Sequence, residues 1–154
     1  MASAEPNWLN QQEKDAWTAL TSVLTRLQPS LNSQIMRDSN ITHFEYIVMS
    51  GLSDAPDRTM RMSDLAAAAG AGLPRLSQVI SRLAKRGWVT RHADPGDARC
   101  VLATLTEAGW DKVVATAPGH VNEVRRLVFD HLTKAQVAQL ATIGHRIAAA
   151  HDGK

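Results

Sequence analysis

Between Ser63 and Leu105 the hydrophobic period of the chain changes from helical to alternating, and this constrains the fold more than any other stretch. A short helical segment, Ser63 to Ala69, closes on Gly70, where a helix end calls for a left-handed residue. A second, Leu73 to Arg86, follows Gly72 and carries Pro74 in its first turn, where the missing N–H has no helical partner anyway; Gly87 ends it. Trp88 to His92 and Arg99 to Leu105 then read as strands about an Asp94-Pro95-Gly96-Asp97 turn. Val101, Ala103 and Leu105 alternate there against Cys100, Leu102 and Thr104. Two helices on a glycine turn followed by a β-hairpin describe a winged helix-turn-helix. Ala66, four residues before Gly70, lets the first helix cross closely over the second, whose inward stripe is Leu76, Val79, Ile80 and Leu83.

Long helices are expected on either side. Asn10 with Glu13 resembles a capping box, and Trp17, Leu20, Leu24, Leu27 and Leu31 recur at helical spacing behind it, with a kink expected near Thr25 to Leu27 because Pro29 removes a backbone bond. Thr42 to Glu45 is a capping box of standard spacing that opens a helix toward Leu52, and Ser53 to Arg58 reads as a loop. Thr106 caps a helix with an apolar face from Trp110 to Val128, again with a kink at Pro118. Thr133 to Gln136 opens a terminal helix lined by Val137, Leu140, Ala141, Gly144, Ile147 and Ala148. The fold class is therefore mainly α, a winged helix-turn-helix over about 42–105 between long helices over about 10–38 and 106–150, all within one domain of 154 residues. The apolar stripes of the outer helices exceed what a small winged module can cover, which predicts a homodimer.

Several classes are excluded. With 44% apolar and 21% charged residues the chain is neither disordered nor fibrous, and no stretch reaches the roughly 20 apolar residues of a membrane span. The start of the chain lacks the basic and apolar regions of a secretory signal, so a cytoplasmic location is expected. The single cysteine, Cys100, cannot form a disulfide within its chain, and on a strand it reads as a packed small residue. There is no glycine-rich phosphate loop, no Gly-x-Ser-x-Gly elbow and no base beside the cysteine, so an enzyme is not expected. The six histidines show no helical pair with an acidic partner, and neither a metal nor a cofactor is expected.

Charge points to a partner. Met1 to Asp57 holds three Lys/Arg against seven Asp/Glu, whereas Arg58 to Arg99 holds eight against three. A basic middle of this kind suits a polyanion. On the helix from Leu73, the inward stripe leaves Arg75, Gln78 and Arg82 on one outward row beside Ser77, Ser81 and Lys85. Arginine can fork onto guanine and glutamine onto adenine, while serine reaches a base edge or a phosphate. Arg91 and Arg99 flank the hairpin turn and would enter a narrow minor groove, with Asp97 orienting Arg99 and Asp94 forming the turn. A solvated helix without a partner, or a winged helix that binds another protein, is the alternative reading.

The runs Phe44-Glu45-Tyr46-Ile47-Val48-Met49, Leu65-Ala66, Leu76 to Val89, Asp94-Pro95-Gly96-Asp97-Ala98-Arg99 and Leu105-Thr106-Glu107-Ala108-Gly109 resemble the multiple antibiotic resistance regulator (MarR) family. The resemblance spans nearly the whole chain, and its most specific part is the Asp-x-Arg wing followed by the Leu-Thr-x-x-Gly helix start. It implies a homodimeric transcriptional regulator with intertwined outer helices, most often a repressor, relieved by a small phenolic or other aromatic ligand; two recognition helices in such a dimer would read an inverted repeat. It places the recognition helix on Leu73 to Arg86 and the wing arginine on Arg99. Gly72-Leu73-Pro74 departs from the hydroxyl residues many members have there, so phosphate contacts at that point come from backbone N–H groups or are absent. A ligand pocket would lie between the outer helices and the winged module, with Trp17 and His43 as its candidates.

Overall fold

Residues 5–152 are described by the structure, a computed structural model. Helix α1 (Gln11–Ser39) starts at the expected box: the Asn10 side chain accepts from the Glu13 N–H at 2.9 Å and the Glu13 carboxylate from the Asn10 N–H at 2.8 Å. It runs through Pro29 without interruption. Thr42 and Glu45 cap α2 (His43–Asp54) in the same reciprocal way. The stretch expected as a loop from Ser53 is instead the end of α2 and a 3-10 turn, Pro56–Arg58, in which Asp57 and Arg58 take φ values of 52°.

A strand that the sequence did not announce follows directly, β1 (Thr59–Arg61), and leads into α3 (Met62–Ala68). Gly70, at φ 62°, turns the chain into α4 (Leu73–Lys85). The hairpin comprises β2 (Val89–Asp94) and β3 (Asp97–Leu105). The sheet is antiparallel in the order β1-β3-β2, with Met60 opposite Ala103 and Arg91 opposite Ala103 on its other side. Three residues are too few for alternation to show, and β1 pairs with a strand more than forty positions away, so no local signal marks it. Helix α5 (Glu107–Leu127) passes Pro118 unbroken, and a 3-10 turn at Phe129–His131 leads to α6 (Lys134–Asp152), which opens on the reciprocal Thr133–Gln136 box.

The core gathers one face each from α1, α2, α3, α5 and the β2–β3 hairpin around α4. Ile35 of α1, Met49 and Leu52 of α2, Leu65 of α3, Val89, Ala103 and Val113 of α5 enclose Leu76, Ile80 and Leu83, and the three α4 residues are fully buried. The outer helices are different. Every residue from 5 to 20 and from 138 to 151 is exposed, including Trp17 at 56% and Ile143 at 54%. No helix among the described residues is long and apolar enough to cross a membrane.

Where α1, α2 and α5 meet, the structure joins two histidines that lie far apart in sequence. The His43 and His120 rings are 5.3 Å apart, with Tyr46 at 4.8 Å from His120, and His43 Nδ1 lies 2.9 Å from Gln28 Oε1. Burial holds both imidazoles below their ordinary value of 6.5, and their proximity lowers His43 further. Because the unfolded chain binds protons more readily than the folded one here, stability is full above about pH 6.5 and declines as pH falls below it. We expect the thermal midpoint to drop between about pH 7.5 and pH 5.5, and His120→Gln to flatten that slope. An equally steep slope in the variant contradicts this assignment. Among the described residues no group of three His, Cys, Asp or Glu side chains could hold a metal ion.

Candidate nucleic-acid interface

Helix α4 is divided sharply by burial. Leu76, Val79, Ile80 and Leu83 are at most 2% exposed, and between them Ser77, Gln78, Ser81, Arg82 and Lys85 line one shallow surface that opens to solvent. Gly72 caps the helix without a side-chain hydrogen bond, so the N–H groups of its first turn have no side-chain acceptor there.

Arg75 is placed differently from its expected row. Its guanidinium lies over the Phe44 ring, 3.9 Å from the centroid, and lines a separate cavity of about 470 Å³ together with His43, Gln28 and Asn32. The stacking draws the side chain back toward α2 while leaving the residue exposed. Arg82 also reaches α2: its Nε–H donates to the buried carboxylate of Glu45 at 3.2 Å. Sequence reasoning identified Phe44 and Glu45 only as helix-start residues, and the one available hint was their place in the run that carries the family resemblance.

The hairpin continues the same face. Arg91, on β2, points Nη1 toward Ser81 Oγ on α4 at 3.4 Å, which ties the wing to the helix. Arg99 has 91% of its side chain exposed, and Asp97 Oδ1 accepts from Arg99 Nε at 3.1 Å and from its backbone N–H at 3.2 Å. These hydrogen bonds hold the Asp97 carboxyl below its ordinary value, so it stays ionised at neutral pH. Asp94 does more than form the turn. One oxygen accepts from the Gly96 N–H at 2.9 Å, and the other binds Arg61 of β1 at 2.8 Å, so the wing is braced from the far side of β3. Cys100 is half-buried, its thiol directed at Asp97 at 3.5 Å; burial first and Asp97 second raise its pKa, the reverse of what a reactive thiolate needs.

The two ligand candidates are not brought together. His43 lines the cavity between α1, α2 and α4, but Trp17 does not; it precedes Gln28 by eleven residues on α1. At roughly 1.5 Å per residue that is about 16 Å along the helix axis. Trp17 therefore belongs to the uncovered apolar face of α1, whereas Trp110 packs against the core.

A sequence profile of the MarR family matches residues 41–101. The chain superposes with a TM-score of 0.91 on the crystal structure of Sco3205, a MarR family transcriptional regulator from Streptomyces coelicolor in complex with DNA. The two are 38% identical, and the match covers 96% of this chain and 92% of that one. The transcriptional repressor MprA of Escherichia coli K12 is 24% identical over 137 residues, covering 84% of this chain and 77% of MprA. The HTH-type transcriptional regulator YdcH of Bacillus subtilis is 29% identical over 85 residues, which is 54% of this chain and 58% of YdcH.

Proposed function

The chain belongs to the MarR family of transcriptional regulators, and from that premise we propose that it binds double-stranded DNA as a homodimer, placing α4 in the major groove and the β2–β3 wing along the flanking minor groove. One observation carries this reading: the buried stripe of α4 directs Gln78, Arg82, Ser77, Ser81 and Lys85 outward onto a single surface, and the wing extends that surface to an almost fully exposed Arg99. In this arrangement Arg82 and Gln78 face base edges. Ser77, Ser81, Lys85 and Arg91 hold the backbone, Arg75 adds charge at the helix start, and Arg99, oriented by Asp97, enters the minor groove. The first-turn N–H groups of α4, which no side chain of the N-cap residue caps, suit a phosphate.

The domain divides accordingly into a reading module over about 42–105 and dimerisation helices over about 10–38 and 106–150. The exposed apolar side chains of α1 and α6, Leu20, Val23, Leu24, Leu140, Ile143 and Ile147 among them, supply the face that a second copy would cover. Two α4 helices related by a twofold axis read an inverted repeat with half-sites roughly 34 Å apart. Repression follows by analogy with the repressor MprA, and a small aromatic ligand beside His43 would relieve it by favouring a dimer with misspaced reading heads.

Selection of bound duplexes from a randomised pool tests the proposal. Enrichment of an inverted repeat is expected, with affinity for it falling by about a thousandfold or more between roughly 50 and 200 mM salt if six or more phosphates are contacted. A folded dimer that enriches nothing and shows no salt dependence removes the DNA-reading role and leaves the protein-binding alternative.

A further inference from the structure

The DNA-reading role of α4 leaves open what sets the direction of its longest outward side chain, and we propose that Glu45 is the positioning residue that presets Arg82 for base recognition. The inference rests on the proposed function above. Glu45 is 6% exposed, and its carboxylate is itself fixed: Oε2 accepts the Thr42 backbone N–H at 2.9 Å as half of the α2 capping box. Among the described residues, the remaining oxygen, Oε1, takes only the Nε–H of Arg82, at 3.2 Å. No hydrogen bond among the described residues uses either η nitrogen of Arg82, whose side chain is 53% exposed. The guanidinium is thus anchored by one edge to a rigid acceptor, and the two terminal nitrogens, the pair that can fork onto a guanine, carry no hydrogen bond among the described residues.

Three physical points favour presetting over a simple surface ion pair. A buried carboxylate needs its countercharge, so Arg82 is kept at Glu45 rather than sampling its many rotamers. A free arginine loses that rotamer freedom on binding, whereas one already held loses less. Contact through Nε is also compatible with base contact through the η nitrogens, so Glu45 and DNA do not compete for the same donors. Phe44, one residue earlier on the same turn, holds Arg75 by stacking, so both arginines of the α4 face take their direction from the start of α2.

The test compares wild type, Glu45→Gln, Arg82→Ala and the double variant for binding to the selected operator, to operators altered one base pair at a time, and to a random duplex. Glutamine keeps the capping acceptor for the Thr42 N–H but loses the charge and one acceptor oxygen. Arg82→Ala is expected to lower discrimination at one symmetric base pair. Glu45→Gln is expected to lower discrimination at that same pair by about fivefold to tenfold and to leave random-duplex affinity unchanged or raised, since a negative charge has gone. In the Arg82→Ala background it should change nothing further. A merely structural role would instead lower affinity for every duplex alike. Full discrimination in Glu45→Gln, tighter and more selective operator binding, or an undiminished effect of Glu45→Gln without Arg82 overturns the assignment. If Arg82→Ala is silent at every position, the reading head itself is misplaced and both proposals fall. Arg82→Lys supplies a check that leaves Glu45 untouched: one ammonium group cannot both hold Glu45 and fork onto a base, so discrimination should drop to the alanine level. Wild-type discrimination in that variant overturns the assignment as well.

Discussion

Gly109→Ala is expected to destabilise the fold by about 3 kcal/mol, the upper end of what overpacking costs. A β-carbon at this position would collide with the backbone carbonyl oxygen of Trp88 and press on the Leu105 side chain. Neither can step aside cheaply. The Trp88 carbonyl accepts the Thr106 N–H at 2.9 Å, and the Thr106 hydroxyl bridges the Gly87 carbonyl at 2.7 Å and the Gly109 N–H at 3.1 Å. Leu105 is 3% exposed and closes the core beneath β3. The first turn of α5 is therefore stitched to the root of the wing, and a methyl group there must break the stitching or push the strand aside. Urea unfolding measures the loss directly. A variant within about 1 kcal/mol of wild type would mean that α5 and the wing root separate more freely than this packing implies.

Two substitutions only two positions apart on α4 are expected to have opposite consequences. Leu76→Ala removes a fully buried side chain and should cost about 3 to 5 kcal/mol of stability, because the surrounding core relaxes only partly into the cavity. Gln78→Ala lies on the outward surface and should leave stability within about 0.5 kcal/mol while reducing discrimination at one base position by about 1 to 3 kcal/mol. Parallel unfolding and operator-binding measurements separate the two. If Gln78→Ala destabilises the fold, or Leu76→Ala leaves it unchanged, the division of the helix into a packing face and a reading face is wrong.

The outward polar face of α4 was legible because the signals that define it are local. Leu76, Val79, Ile80 and Leu83 fall on one side of any helix drawn through them, so Gln78, Arg82 and Lys85 must fall on the other. Glycine at the α3–α4 turn and the Asp-Pro-Gly-Asp hairpin each act within a few residues, as do the boxes at Asn10, Thr42 and Thr133. Where expectation and structure differ, the deciding partner is distant. β1 exists because β3 offers it a free edge, and Asp94 gains a second role because Arg61 arrives on that strand. Arg75 leaves its row because Phe44 presents a ring to it.

Periodicity and capping depend on neighbours three or four positions away, and they therefore fix the set of helices, the hairpin, the two faces of α4 and the placement of basic residues on one of them. Where the flexible ends of those side chains go is set by packing between elements distant in the chain. The Glu45–Arg82 bond spans 37 positions, and the His43–His120 contact joins helices at opposite ends of the winged module. A long cationic side chain has several rotamers of nearly equal energy on an isolated helix, and the choice among them belongs to whichever ring or carboxylate the fold sets beside it.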